Sequence, residues 1–180
     1  MDDYAEQLRA NRAEKDDFFA EHPQSPVPPE HREGFEGLNY FPPDPEYRLT
    51  ASVTVHDDPE PVEMATSDGR TVRYERVATF GFELDGESLR LHGYRQDGGA
   101  DEPVFVPFRD KTTGQETYAD GRYMELEVEG ALAERAEVPL DLNLAYSPFC
   151  AYSETFSCPL PPEENWLAVA VRAGERTPDL

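Results

Sequence analysis

The sequence predicts an all-β fold, or α+β by count: an antiparallel barrel-like or sandwich domain with an N-terminal α-helix. Three observations carry that expectation. Apolar residues recur at every second position through most of the stretch from Arg48 to Arg172, glycine-bearing turn signals separate these runs, and a three-four apolar spacing is confined to the opening segment. A length of 180 residues, with 38% hydrophobic content, 10 Phe and 9 Tyr, fits a single domain over residues 1–180 with a packed core.

Residues 1–22 favour helix, because Tyr4, Leu8, Asn11, Lys15 and Phe18 or Phe19 fall on one face, Asp2 or Asp3 can cap, and His22-Pro23 ends the run. Residues 23–47 are expected to be an extended wrap, since Pro26, Pro28, Pro29, Pro42, Pro43 and Pro45 forbid regular pairing. Phe35, Leu38, Tyr40 and Phe41 would anchor it on the core. Residues 48–173 form the β domain. In Leu49 to Val55 alternation marks a half-buried strand, and hairpin signals follow at Ser67-Asp68-Gly69-Arg70 and Asp85-Gly86-Glu87, with a further turn from Gln96 to Asp101. With Val62–Thr66, Thr71–Tyr74, Val77–Leu84, Ser88–Tyr94, Val104–Phe108, Arg122–Val128, Glu137–Leu144 and Trp166–Arg172, about nine strands are expected.

The 38 acidic residues outnumber 16 basic ones, giving a net charge of -22 and a pI near 4.3, and only Lys15 and Lys111 are lysines. Such a chain repels itself at low ionic strength, and concentrated salt relieves the repulsion because the Debye length falls to about 3 Å at 1 M. A halophilic habitat with an acidic surface is the expectation. The same charge opposes nucleic acid and anionic membranes as partners, and no apolar run approaches the roughly 18 residues of a membrane span. The N-terminus lacks the apolar core of a secretion signal, so a cytoplasmic location is expected.

Two segments concentrate polar chemistry. Pro107 to Tyr123 gathers Arg109, Lys111 and Arg122 among Thr112, Thr113, Gly114, Thr117 and Tyr118, and guanidinium forks with hydroxyls suit an anionic guest. The alternative is that Arg109 with Asp110, or Arg122 with a nearby carboxylate, pins a loop to the sheet. Leu140 to Leu167 places both cysteines and several polar residues in a proline-rich loop. There Leu140, Leu142 and Leu144 would share one strand face and Asp141 and Asn143 the other, either solvated or aimed at a ligand. Cys150 and Cys158, separated by seven residues, are open to three readings: buried thiols, a disulfide or redox pair, or a metal or nucleophile site, the last including a dyad with His92. His22, His31, His56 and His92 lack short ligand spacing, so no metal and no cofactor are expected. Lys15, retained in a chain that otherwise uses Arg, suggests a position that needs a compact ammonium.

Arg12, Lys15, Asp16 and Phe19, followed by GLNYFPPDP, PFRDKTTGQETYADGRY, LDLNLAYSPFCAY and CPLPPEENWL, resemble the bacterial and archaeal family called domain of unknown function 1684, over nearly the whole chain. The resemblance implies that Arg109, Asp110, Thr117, Tyr118, Gly121, Arg122, Tyr123, Asp141, Asn143, Tyr146, Cys150, Tyr152, Cys158, Glu164 and Asn165 are family positions. It carries no activity with it. Leu142 stands where the family usually has Phe, and Ser147 where it usually has Asn.

Together these readings point to a small-molecule-binding β domain for an anionic ligand, walled by the loops Pro107–Tyr123 and Tyr146–Asn165. Arg109 and Arg122 would hold the charge, with Tyr118, Tyr123, Asp141, Asn143, Tyr146, Cys150, Tyr152, Cys158 and Asn165 around it. An enzyme, hydrolase or isomerase, is the alternative, with Asp141 or Glu164 as base, Arg122 as stabiliser and Cys150 as nucleophile. A third possibility is a structural protein in which these groups form a buried network.

Overall fold

The computed structural model describes residues 2–96, 103–126, 136–153 and 155–178. It contains a long helix α1 (Asp2–Glu21), a short helix α2 (Pro29–Arg32) and six strands: β1 (Arg48–Ala65), β2 (Thr71–Leu84), β3 (Glu87–Arg95), β4 (Val104–Phe108), β5 (Arg122–Leu126) and β6 (Glu137–Asp141). They form one antiparallel sheet in the order β5-β4-β3-β2-β1-β6, curled into a half-barrel. The all-β or α+β expectation holds.

The strand count is corrected. Leu49–Val55 and Val62–Thr66 are two parts of the single β1, whose pairing to β2 slips between Val55 and Glu60, and β2 likewise absorbs two expected strands with an irregularity between Arg76 and Ala78. A bulge bends a strand without ending it, so the polar interruptions mark bends and not turns. The strand expected over Glu137–Leu144 stops at Asp141, whose side chain caps a 3-10 turn, Leu142–Leu144, by accepting from the Asn143 amide. Period-two reading therefore fails there: Leu140 and Leu142 are buried but Leu144 is exposed. Trp166–Arg172 is not a strand either. Its alternation is real, with Leu167, Val169, Val171 and Ala173 all in the core, but it is tied to the chain after β4 by isolated bonds, Leu167 N to Arg109 O and Lys111 N to Val169 O, without a ladder. The expected turn at Gln96–Asp101 and the end of the expected Arg122–Val128 strand lie largely outside the described residues.

The core gathers Phe80, Leu91, Val104, Val106, Phe108, Met124, Leu140 and the 167–173 segment, each large apolar side chain contributing about 1.5–3 kcal/mol of burial. Helix α1 buries Leu8 and Phe19, the latter in a second, smaller cluster with Val27 and Tyr152, and leaves Phe18 exposed. Arg12, and not the expected Asn11, occupies the packed face: its guanidinium lies 4.4 Å over the Tyr40 ring and donates to Phe41 O at 2.8 Å. Asp16 accepts from the Leu38 amide at 3.0 Å, so the helix clasps the proline-rich wrap.

Candidate functional site

The structure sorts the polar residues singled out from sequence into four groups with different surroundings. The first surrounds Arg122. Gly121, with φ +93 and a Cβ position 2.7 Å from Phe108 O, makes a turn that a larger residue would strain, and it delivers Arg122 into the interior. The Arg122 side chain is fully buried and donates to the carbonyls of Ala173, Glu175 (3.2 Å) and Val171 (2.9 Å), with Asp110 at 3.6 Å. Burial lowers its pKa, with Asp110 and Glu175 opposing, and the charge is matched locally. Asp110 in turn accepts from Val171 N, Thr112 and Thr113, closing the Thr112–Thr117 turn. Arg122 thus fastens the last segment of the chain to β5. The expected role at a ligand's charge does not match this enclosure.

Glu175, which sequence reasoning missed, is the centre of the same group. Gly174, at φ +83 with its Cβ position 2.5 Å from Ala145 O, turns the chain so that Glu175 enters the core at 2% exposure. Its carboxylate takes Lys15 as an ion pair, the Tyr152 hydroxyl at 2.8 Å and the Ser147 amide at 3.1 Å. Lys15 also lies 5.4 Å from the Phe19 ring centre and 5.0 Å from that of Tyr146. A compact ammonium fits between two rings, which is the need that its retention suggested. Tyr146 is bonded through its hydroxyl to Glu125, and Tyr123 through its own to Pro159 O at 2.5 Å. Among the described residues, Arg122 Nε and Ser147 Oγ are buried without a hydrogen-bond partner; the serine stands where the family resemblance leads one to expect an amide.

The second group is Asp141 with Asn143. Asp141 accepts from the Tyr4 hydroxyl at 2.5 Å and from Asn143, while Asn143 exchanges two bonds with the backbone of Asp44. These two residues bind helix and wrap to the edge of the sheet. Asn165, the third, is fully buried: its amide bonds both main-chain groups of His92 and the carbonyl of Pro107, standing in for ladder bonds where β3 and β4 share only the Tyr94 and Phe105 pair. Its neighbour Glu164 is bonded to Arg76 and Tyr94; burial raises its pKa, but those bonds outweigh burial and hold it below the usual carboxylate range. His92 is bonded to Thr79, which also meets His56.

The fourth group lies where the two expected loops meet. Arg109 rests 4.6 Å above the Trp166 ring, which is 48% exposed, and both line a cleft of about 300 Å³ together with Met64, Asp120, Leu160 and Pro161. Glu63 and Glu163 complete its acidic rim. Asp120 also accepts from the Tyr118 hydroxyl at 3.3 Å, and that hydroxyl is 3.6 Å from Cys150 Sγ. Cys150 is half-buried and Cys158 buried, both as free thiols. Among the described residues no three His, Cys, Asp or Glu side chains cluster to hold a metal ion, and no helix is long and apolar enough to cross a membrane.

The curled antiparallel half-barrel, strapped by an N-terminal helix and a buried ionic centre, defines the class of protein. Residues 33–176 match the model of the family described as protein of unknown function (DUF1684), and the chain belongs to that family. Among solved structures it is similar to the solution structure of the uncharacterized protein from gene locus rrnAC0354 of Haloarcula marismortui. That protein is 64% identical, with a TM-score of 0.77, over 98% of this chain and 95% of the other. No curated protein matches.

Proposed function

We propose that this domain binds a small molecule carrying one anionic group, a monocarboxylate with an apolar body, in the cleft of Arg109 and Trp166. The observation that carries the reading is the cation-π contact: Arg109 makes no ion pair among the described residues and its guanidinium carbon lies over the indole at 4.6 Å from the ring centre. Stacking orders a guanidinium while leaving its in-plane donors for a carboxylate fork. Met64, Leu160 and Pro161 supply an apolar wall, and Glu63, Asp120 and Glu163 disfavour a guest with several negative charges. Arg122 takes no part, because it is fully buried and its two terminal nitrogens are spent on carbonyls. Asp141 and Glu164 are held in capping and ion-pair bonds, which supports binding over carboxylate catalysis.

The same reading places the protein in a salt-rich cytoplasm, supported by the net charge of -22 and the haloarchaeal neighbour. Nucleic acid and anionic membranes are not its partners, since the charge opposes both.

Trp166 is the only tryptophan, so its emission reads the cleft directly. Titration with benzoate and phenylacetate in concentrated KCl should give a saturable change. The neutral amides should give little, and Arg109→Gln should abolish the response without lowering the melting temperature. Equal responses in wild type and Arg109→Gln, or none to any monocarboxylate, would overturn the assignment. The same emission should shift red, reporting unfolding, as KCl is diluted away; a chain folded equally well in dilute buffer would remove the salt-rich habitat.

A further inference from the structure

We propose that Cys150 and Cys158 form a thiol-disulfide exchange site for low-molecular-weight disulfides, with Cys150 as the attacking sulfur and Cys158 as the resolving one. The geometry distinguishes the two roles. Cys150 sits half-buried in the 3-10 turn Phe149–Ala151, whereas Cys158 is buried and fixed to the turn between β1 and β2: its amide donates to Ser67 Oγ at 3.1 Å and its carbonyl accepts from Ser67 N at 2.9 Å. The turns that carry the two thiols pack together where the Phe149 and Phe156 rings meet at 5.3 Å, and the Tyr118 hydroxyl donates to Cys150 Sγ at 3.6 Å. A hydroxyl donor on a half-buried sulfur favours its thiolate, which is the nucleophile in exchange chemistry.

The electrostatics agree with that division. The bond from Cys158, working against burial and joined by those from Tyr118 and Ser67, pushes the Cys150 thiol down to about 6, although Asp120 opposes the shift. Cys158 moves upward, its bond to Cys150 and burial both favouring the thiol. Tyr123, on β5, is the other titratable group near both sulfurs, and burial raises it first, with the cysteines adding to the shift. The half-buried sulfur is thus the one inclined toward thiolate and the buried one toward thiol, the arrangement of an attacking and a resolving pair.

The reaction balances with a disulfide R′S–SR′ as oxidant. Cys150 thiolate attacks one sulfur, the S–S bond breaks, and R′S⁻ leaves and takes up a proton. Cys158 then gives up its proton and attacks Cys150 Sγ of the mixed disulfide, expelling the second R′S⁻, which is also protonated. The products are one Cys150–Cys158 disulfide and two R′SH; the cysteine pair is oxidised by two electrons and the small disulfide reduced by the same two.

The full-length chain in concentrated KCl should be treated with 2,2′-dithiodipyridine, an uncharged disulfide that the acidic chain does not repel. Wild type should release two thiopyridone equivalents and end as an intramolecular disulfide without adduct, reversibly with dithiothreitol. Cys158→Ser should stop at one equivalent with a pyridyl adduct, and Cys150→Ser should react at least roughly tenfold more slowly. Alanine variants at both positions, checked by circular dichroism, separate loss of fold from loss of sulfur. Tyr118→Phe, a positioning residue, should move the pH midpoint of the fast phase upward. Incubation with cystine should form the same intramolecular disulfide. Two pyridyl adducts on wild type, or equal rates for the two serine variants, would overturn the proposal. An exposed control, Arg90→Gln, should react as wild type, and because exchange is read by thiopyridone release and the anion cleft by Trp166 emission, the two sites fail separately.

Discussion

The main-chain carbonyl of Glu175 accepts from the Arg122 guanidinium at 3.2 Å, while the Glu175 carboxylate is taken by Lys15, Tyr152 and the Ser147 amide. One residue near the end of the chain thereby joins β5, the loop after β6 and the N-terminal helix. The two buried charges are satisfied from opposite directions in sequence: Arg122 mostly by carbonyls, Glu175 by a lysine more than 150 positions upstream.

Arg122→Met should therefore destabilise the protein by about 3–5 kcal/mol, because it strands Asp110 and several carbonyls in the interior. Arg109→Gln, at a partly buried position whose charge has no protein partner to strand among the described residues, should cost about 0.5 kcal/mol or less. Urea unfolding monitored by circular dichroism compares the two directly. Similar small losses for both would mean that Arg122 does not fasten the 171–175 segment to β5.

Lys15→Ala should cost about 1–3 kcal/mol by leaving the buried Glu175 carboxylate with neutral donors alone. Lys15→Arg should not restore the loss, since a planar guanidinium does not fit the space that an ammonium occupies between Phe19 and Tyr146. A double-mutant cycle with Glu175→Gln measures the coupling. Additive losses, with no coupling, would remove the ion pair from the account of stability.

Acid sensitivity should depend on Glu164. Its bonds to Arg76 and Tyr94 hold the folded-state pKa below the unfolded value of about 4.3, so the stabilisation is complete above that value and disappears as pH falls below it. Glu164→Gln should lower the melting temperature near pH 7 and bring the variant and wild-type curves together between about pH 4 and 2. Parallel curves across that range would contradict the assignment. The effect should be modest, because the pair is partly exposed and screened by salt.

Much of the architecture was legible from residue order. The three-four spacing found α1, period two found the sheet, and Ser67-Asp68-Gly69-Arg70 and Asp85-Gly86-Glu87 located two hairpins. What misled was alternation without a ladder. Leu142 and Leu144 kept the period while Asp141 capped a 3-10 turn, and Leu167 to Ala173 kept it while meeting the rest of the chain through isolated bonds. Side-chain periodicity reports burial on one face; it does not report which backbone group accepts each hydrogen bond. The two loops singled out by their polar content do meet, at the Arg109 and Trp166 cleft and at the Tyr118 to Cys150 contact. Asn165, Asn143 and Asp141 were picked by the same signal, yet they bond main-chain groups, because composition alone does not tell a residue that completes a backbone from one that awaits a guest.

By itself the sequence determined the helix, the antiparallel sheet, the surplus of negative charge and the family motifs, all of which follow from local spacing and residue type. Only the tertiary structure decided that Arg122 is enclosed while Arg109 stacks on an exposed indole, that Lys15 meets Glu175, and that the Tyr118 hydroxyl reaches Cys150. Those outcomes depend on which distant groups the fold brings within about 3 Å and how much water it removes from them, quantities that no spacing along the chain encodes.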